Sequence, residues 1–158
     1  MIWEPKSIKV FRMKKHHLDE VMELEERSFS VPWSRKSFLE ELKNPNAYYF
    51  IAVLDKKIAG YAGMWHVVNE GHITKVAVAE EHRQKGIGTM LVKELVAVSE
   101  KKHMIGLTLE VRINNKSAHA LYAKTGFKPE GIRKNYYSDT KEDAVIMWYY
   151  SENQEYKI

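Results

Sequence analysis

Two glycines and a group of cationic residues stand at the start of an amphipathic helix pattern. The segment HRQKGIGTMLVKEL places Arg83, Lys85, Gly86 and Gly88 directly before apolar residues at helical spacing. The N-terminus of a helix presents unpaired backbone N–H groups and a partial positive charge. Glycine has no Cβ, so an anion can approach those groups closely. The segment therefore predicts a binding site for a phosphate group.

Other interpretations of this segment differ in what the glycines do. A P-loop is excluded because the chain contains no G-x-x-x-x-G-K-[ST] sequence. A dinucleotide-binding fingerprint is a rival, since Glu110 ends the following strand pattern at about the expected distance. Against it, Leu91 occupies the third glycine position, and a long polar loop separates Val78 from Gly86. A charged loop with incidental glycines would explain the residue types but not their order.

Glu110 is an acidic residue in the otherwise apolar strand pattern IGLTLEV. A carboxylate in that setting can act as a general base. It can equally form an ion pair with a neighbour such as Arg112. The residues alone leave both interpretations open.

The longer pattern resembles a known family. The R-x-x-G-x-G motif that starts at Arg83, followed by LEVRINNKSAHALYAKTGF, resembles the GNAT superfamily of acetyl-CoA-dependent N-acetyltransferases. Within it, SFSVPWS and RKNYYSDTKEDAVIM resemble the bacterial ribosomal-protein alanine N-acetyltransferases of the RimI group. The resemblance extends from about Val10 to Tyr150. The glycine motif indicates only the superfamily, and the later motifs are narrower.

The resemblance implies an acetyl-CoA site. The pyrophosphate would lie on backbone N–H groups at the start of the helix, and the pantetheine arm would run along the fourth strand like an added strand. It also implies that the N–H of Val78 stabilises the developing oxyanion. The residues implied in acetyl-CoA binding are Val76, Ala77, Val78, Arg83, Gln84, Lys85, Gly86, Ile87, Gly88, Thr89 and Asn115.

The same resemblance assigns the catalytic and substrate roles. It matches Glu110 to the general base and Tyr122 to the general acid that protonates the CoA thiolate. Without the resemblance, a tyrosine in HALYAKTGF is more typical of a core aromatic residue. Trp33, Tyr136 and Tyr137 match positions that hold the first residues of the substrate, although simple packing explains each of them nearly as well.

Amine basicity favours a protein N-terminus as the acetyl acceptor. An α-amino group titrates near 8, so roughly a tenth is neutral at pH 7. A lysine side chain is neutral in only about one molecule in a few thousand, which would ask about 3 kcal/mol more of the site. The resemblance makes the acceptor the N-terminal alanine of a small-subunit ribosomal protein. A broader N-terminal, lysine or small-amine acetyltransferase and a non-catalytic CoA-binding module are the alternatives.

Acidic residues cluster in the two helix patterns that flank the proposed substrate entrance. They could attract a basic ribosomal protein, or simply form solvated helix faces. These residues are Glu23, Glu25, Glu26, Glu40 and Glu41.

The elements that must position these residues follow from the hydrophobic periodicity. Alternating and helical patterns predict the order β-α-α-β-β-β-α-β-α-β-β, an α/β fold with a mixed sheet and helices on its faces. Ser34 is the predicted N-cap of the second helix, and Gly126 ends the last helix. We expect one domain over residues 1–158, with a core from about 8 to 150 and a frayed tail at 151–158.

Composition excludes several classes of protein. The 158 residues include no cysteine, which excludes disulfides and a cysteine nucleophile. The net charge of +4 is spread over scattered lysine pairs, so no nucleic-acid surface is expected. The histidines have no metal-ligand spacing, and no stretch approaches the length of a membrane span. We therefore expect a cytoplasmic protein without a metal.

Overall fold

The computed structural model describes residues 7–151. Its helices and strands follow the predicted order. The strands are β1 (Lys9–Arg12), β2 (Ala47–Leu54), β3 (Lys57–Val67), β4 (Glu70–Val78), β5 (Gly106–Arg112), β6 (Lys128–Arg133) and β7 (Ala144–Tyr150). The α-helices are α1 (Leu18–Ser28), α2 (Arg35–Lys43), α3 (Ile87–Lys101) and α4 (Lys116–Lys124).

The strands form one mixed sheet in the order β1-β2-β3-β4-β5-β7-β6. Neighbours are antiparallel except β4 and β5, which are parallel. Within the described residues, β4 and β5 pair only at Gly71–Leu107 and His72–Thr108. β4 then continues to Val78 and β5 to Arg112 without pairing each other. The predicted mixed-sheet fold is confirmed, and the sheet is split at its centre.

Helices cover the sheet in two layers. On one face, α3 and α4 pack through residues such as Leu91, Leu95 and Tyr122 on the apolar side chains of β2 to β5 and β7. On the other face, α1 and α2 contribute Leu18, Val21, Leu24 and Phe38 to a second core. The end of β4 therefore lies between two helical layers, one on each face of the sheet.

Local signals set the element boundaries as the sequence predicts. The Ser34 hydroxyl accepts a hydrogen bond of 3.1 Å from the Ser37 N–H, which caps α2. Gly126 follows α4 with φ at 98°, a left-handed conformation that ends a helix.

A β-bulge in β4 changes which side chains share a face. Gly63 pairs with Lys75, but Met64 pairs with Ile73, so Thr74 is an extra residue in the ladder. Because successive strand residues alternate between faces, the bulge brings His72 and Lys75 to the same face. That face carries the α1–α2 layer, as the contact of Lys75 with Glu25 of α1 shows.

The ends of the described chain bear on two further predictions. Ser151, the first residue of the segment predicted to fray, is buried, and its hydroxyl donates to the Glu100 carboxylate at 2.7 Å. The rest of that segment lies outside the described residues. Among the helices of residues 7–151, none has the length and apolar character needed to cross a membrane.

Candidate active site

A cleft of about 660 Å³ opens where β4 separates from β5. Its volume lies in the range of small-molecule sites. The end of β4, the start of α3 and one side of α4 form its walls. The residues predicted to bind acetyl-CoA that line it are Val76, Ala77, Val78, Arg83, Gln84, Gly86, Ile87, Gly88, Thr89 and Asn115.

Two of the predicted binding residues make contacts within the protein. Lys85 is exposed and does not line the cleft, and its Nζ lies 3.1 Å from Nδ1 of His82. Asn115 lines the cleft, but its side-chain oxygen caps α4 by accepting from the Ala118 N–H at 3.1 Å. Its amide NH₂ group therefore remains the part able to donate to a ligand.

The start of α3 presents free backbone donors to the cleft. The N–H of Met90 is bonded to the Gly86 carbonyl, so the preceding N–H groups of the first turn have no acceptor within the helix. Gly86 has φ at 82°, and a Cβ there would meet nothing within 4 Å. Gly88 instead faces α4, since a Cβ there would lie 3.1 Å from Leu121 Cδ2. The first glycine sets the turn, and the second allows close helix packing.

The end of β4 supplies further unpaired backbone groups. The Ala79 N–H donates to the Ala59 carbonyl at 2.8 Å, on the β3 side of the strand. Backbone groups alternate in direction along an antiparallel strand, so the N–H of Val78 points the other way, to the side where β5 has diverged. A donor thus faces the cleft at the position predicted for the oxyanion contact.

Tyr122 of α4 lines the same cleft and is 8% exposed. Its ring packs edge to face on Phe127, with 5.6 Å between the ring centroids. Its hydroxyl makes no hydrogen bond with any residue of the described chain. Burial, with a smaller contribution from the neighbouring Tyr137, raises the pKa of the Tyr122 hydroxyl, which is therefore protonated at neutral pH.

Glu110 lies on the opposite face of β5, and its nearest partner is a residue that sequence reasoning missed. Its Oε2 is 2.7 Å from Nε2 of His72, and its Oε1 is 3.4 Å from Nε of Arg133. The hydrogen bond with His72 is the main reason why the pKa of Glu110 is lowered and that of His72 is raised. In the alternative ion-pair interpretation, Arg112 is the wrong partner, because it pairs with Asp139 and Glu142. The pairing of His72 with Thr108 brings His72 next to Glu110, and no sequence motif predicts this contact.

The loop between β6 and β7 stands beside Glu110. Tyr136 and Tyr137 pack edge to face with centroids 5.0 Å apart, and burial, with a smaller contribution from Glu110, raises the pKa of both phenols. The guanidinium of Arg112 lies 3.9 Å from the Tyr137 ring centre. Asp139 connects this loop to the α1–α2 connection, since it accepts from the Ser30 hydroxyl at 3.3 Å.

The acidic residues predicted near the entrance do not act as one group. Glu25 is 0% exposed and bonded inside the protein, so its predicted roles, in attracting a partner or on a solvated face, are both wrong. The Glu41 carboxylate accepts from the Trp65 indole at 2.6 Å. Glu23, Glu26 and Glu40 are exposed, as expected. Trp33, the remaining predicted substrate residue, is half-buried, and its backbone N–H donates to the Glu25 carboxylate.

Across residues 7–151, no group of three or more histidine, cysteine, aspartate or glutamate side chains could hold a metal ion. The split in the sheet carries the cleft, with backbone donors and a protonated phenol, on one face, and the Glu110 carboxylate bonded to His72 on the other.

Comparison with known proteins identifies the family. The sequence model of the acetyltransferase (GNAT) family matches residues 18–127, well over half of the chain. The chain belongs to the GNAT acetyltransferase family. The matched segment includes β4 and β5, which form the split, and the helices α3 and α4 that line the cleft.

Relatives in the GNAT family carry a more specific activity in their names. A Bacillus subtilis protein, provisionally named a ribosomal protein bS18-alanine N-acetyltransferase, is 43% identical over 140 residues, or 88% of this chain and 93% of the relative. The Escherichia coli K12 enzyme of that name is 35% identical over 126 residues, covering 78% and 84%. The crystal structure of the Escherichia coli ribosomal-protein-S18-alanine N-acetyltransferase superposes with a TM-score of 0.85 at 29% identity, covering 96% of this chain and 99% of that one.

The GNAT assignment gives the helix N-terminus a testable ligand. Gly86→Asp should weaken acetyl-CoA binding by about tenfold or more, because it places a negative charge beside the diphosphate. Gly86→Asn is the matched control, since it has nearly the same size and the same strain at positive φ but no charge. Calorimetric titration of both folded variants measures the difference. Equal affinities of the two variants for acetyl-CoA would contradict a diphosphate site at the start of α3.

Proposed function

We propose that this acetyltransferase modifies the N-terminal α-amine of a protein, and that its physiological acceptor is the N-terminal alanine of a ribosomal protein of the bS18 type. The split between β4 and β5 carries the proposal. It offers a cleft for acetyl-CoA on one face and a carboxylate for the amine on the other. The relatives' names support the choice of acceptor. A bacterial ribosomal substrate would place the reaction in the cytoplasm.

In the proposed arrangement, acetyl-CoA binds along the split with its diphosphate at the start of α3. The N–H groups of Ile87, Gly88 and Thr89 and the side chain of Arg83 hold the diphosphate. The pantetheine arm lies along β4 beside Val76 to Val78. The Val78 N–H then donates to the acetyl oxygen as negative charge develops there. The free donors described above fit each of these contacts.

Glu110 acts as the general base in this proposal, and His72 holds it in place. The carboxylate takes a proton from the substrate's ammonium, directly or through one water molecule, and the neutral amine that results attacks the acetyl carbon. The lowered pKa keeps Glu110 ionised at neutral pH, which makes it available as an acceptor but a weak base. A weak base suffices for an α-amine, because part of it is neutral without help. This match between base and acceptor supports an N-terminus over a lysine side chain.

Tyr122 acts as the general acid. Tyr122 lines the cleft and its hydroxyl is protonated, so it can donate to the sulfur as the CoA thiolate leaves. Trp33, Tyr136 and Tyr137 surround the acceptor's first residues. The link between Ser30 and Asp139 joins the segments that carry them, which supports a common role for these aromatic rings.

A peptide panel tests the proposed acceptor. The purified protein should acetylate an alanine-initiated peptide of the bS18 N-terminal sequence, with the label on the α-amine by mass spectrometry. The same peptide with a blocked N-terminus and a free lysine should remain unmodified, and a peptide with a bulky first residue should react more slowly. Preferential labelling of lysine would contradict the N-terminal assignment. Binding of acetyl-CoA without turnover of any amine would indicate a non-catalytic module.

A further inference from the structure

A buried polar group lies under the α1–α2 connection and has no part in the chemistry proposed above. Its centre is Glu25 of α1, which is 0% exposed. Its Oε2 accepts from the Lys75 ammonium at 2.6 Å and from the Trp33 N–H at 2.7 Å, and its Oε1 accepts from the Tyr61 hydroxyl. We call Glu25, Tyr61 and Lys75 the Lys75 cluster.

Two aromatic rings enclose the cation of this cluster. The Nζ of Lys75 lies 4.2 Å from the ring centre of Phe29 and 4.3 Å from that of Trp33. A desolvated ammonium over aromatic faces is among the stronger cation–π contacts. The lysine therefore fixes both rings, while Glu25 fixes the backbone of the second.

The rings that Lys75 holds belong to the site. Phe29 lines the acetyl-CoA cleft, and Lys75 immediately precedes the β4 residues that line it. Trp33 is one of the residues predicted to hold the substrate. Between the two rings, Ser30 reaches the β6–β7 loop through Asp139. The Lys75 cluster thus connects the end of β4 to the α1–α2 connection, which lies beside the proposed site of the substrate amine.

The need for stability does not by itself account for such a cluster. Taking two charges out of water costs as much as their attraction returns, and an apolar replacement of a buried pair is often neutral or stabilising. Each charge instead makes a contact that depends on direction. The Glu25 carboxylate accepts from the Trp33 N–H, and the Lys75 ammonium orients the rings of Phe29 and Trp33. A hydrophobic core could do neither.

We propose that Lys75, together with Glu25, is a positioning residue that holds Phe29 and Trp33 as the wall of the pocket for the substrate's first residue. The inference rests on the proposed N-terminal acetylation. It adds a specificity role for residues that touch neither the acetyl group nor the attacking amine.

The double variant Glu25→Gln/Lys75→Met tests this role. Removing both charges together avoids leaving one buried charge without a partner, so the fold should be retained. The KM for the alanine-initiated peptide should rise about tenfold or more, while kcat and the affinity for acetyl-CoA change less than about threefold, the pattern of lost substrate positioning. The matched control is Asp19→Asn/Arg35→Met, which removes an exposed 2.7 Å ion pair between α1 and α2, outside the Lys75 cluster. It should behave like the parent.

Hydrogen exchange of the Trp33 amide provides a readout that needs no substrate. Its bond to a buried carboxylate should make the exchange slow in the parent and in the control, and faster in the Glu25→Gln/Lys75→Met variant, because a neutral amide oxygen is a weaker acceptor and no ammonium holds the two rings. An unchanged peptide KM, or a loss of all kinetic constants in step with melting temperature, would overturn the inference. A parent protein that acetylates no peptide would overturn the proposed function, while the exchange experiment would still decide whether the cluster holds Trp33.

Discussion

Glu110→Gln should lower kcat at pH 7 by roughly a hundredfold or more, as expected for loss of a general base. Glutamine keeps the shape of the side chain and can still bond His72, but it cannot accept a proton from the amine. The loss should shrink towards pH 9, because most of an α-amine is neutral there without a base. Initial rates at saturating acetyl-CoA between pH 6.5 and 9 measure this dependence.

Loss of the Glu110–His72 pair should also change stability with pH in the same direction as the rate, so folding must be checked at each pH. The lowered pKa of Glu110 contributes stability above its ordinary value of 4.5, and the contribution is lost as pH falls through the folded-state pKa. The raised pKa of His72 contributes stability below 6.5, and that is lost as pH rises through its folded-state pKa. The pair therefore stabilises the fold most between about pH 4.5 and 6.5. Glu110→Gln should be least destabilising at alkaline pH.

The control for this prediction is Glu130→Gln on β6. Its carboxylate accepts from the Tyr150 hydroxyl at 2.7 Å, on an exposed part of the sheet. The variant should keep the parent's kcat at each pH. If the Glu110→Gln loss is instead constant from pH 6.5 to 9, Glu110 only holds neighbouring groups in place.

Tyr122→Phe should lower kcat by about tenfold or more, without lowering the melting temperature. The CoA thiol titrates near 8.5, so its thiolate can leave partly unaided, and the loss should lie at the small end of the range for a general acid. Because the hydroxyl has no hydrogen-bond partner among the described residues, its removal breaks no bond within the protein. A buried hydroxyl without a partner is unfavourable, so phenylalanine should be at least as stable as tyrosine.

Tyr149→Phe gives the opposite pattern and serves as the control. The Tyr149 hydroxyl donates to Glu100 at 3.1 Å and does not line the cleft. Its loss should reduce the melting temperature and leave kcat unchanged. A Tyr122→Phe protein that is folded, binds acetyl-CoA and turns over at the parent rate would exclude Tyr122 as the acid.

Much of the fold was predictable because local patterns determine it. Helical spacing, the Ser34 cap and the Gly126 stop define elements that each depend on a few adjacent residues. Most of the residues that line the cleft could be named from the sequence for the same reason, since they come from one strand–loop–helix segment. Lys85 was the exception, because a loop pattern does not fix which way a long exposed side chain points.

Contacts between distant segments were not predictable in this way. The pairing of His72 with Glu110 depends on the register of two parallel strands and on an extra residue in one of them. A shift of one residue would turn His72 to the other face. Glu25 illustrates the same limit: its acidic neighbours in sequence are exposed, and only the packing of α1 on Lys75 buries it.

The separation of β4 from β5 also leaves two unpaired strand edges in the middle of a sheet. Exposed edges can pair with other chains, and proteins commonly cover them to prevent aggregation. Here the edges are recessed between two helical layers, away from the rim of the molecule. Under the proposed binding mode, the amide groups of pantetheine occupy the β4 edge, so the acetyl donor completes the sheet as a temporary strand. Acetyl-CoA bound in this way would also stabilise the folded state, because a ligand that binds only the folded protein shifts the folding equilibrium towards it.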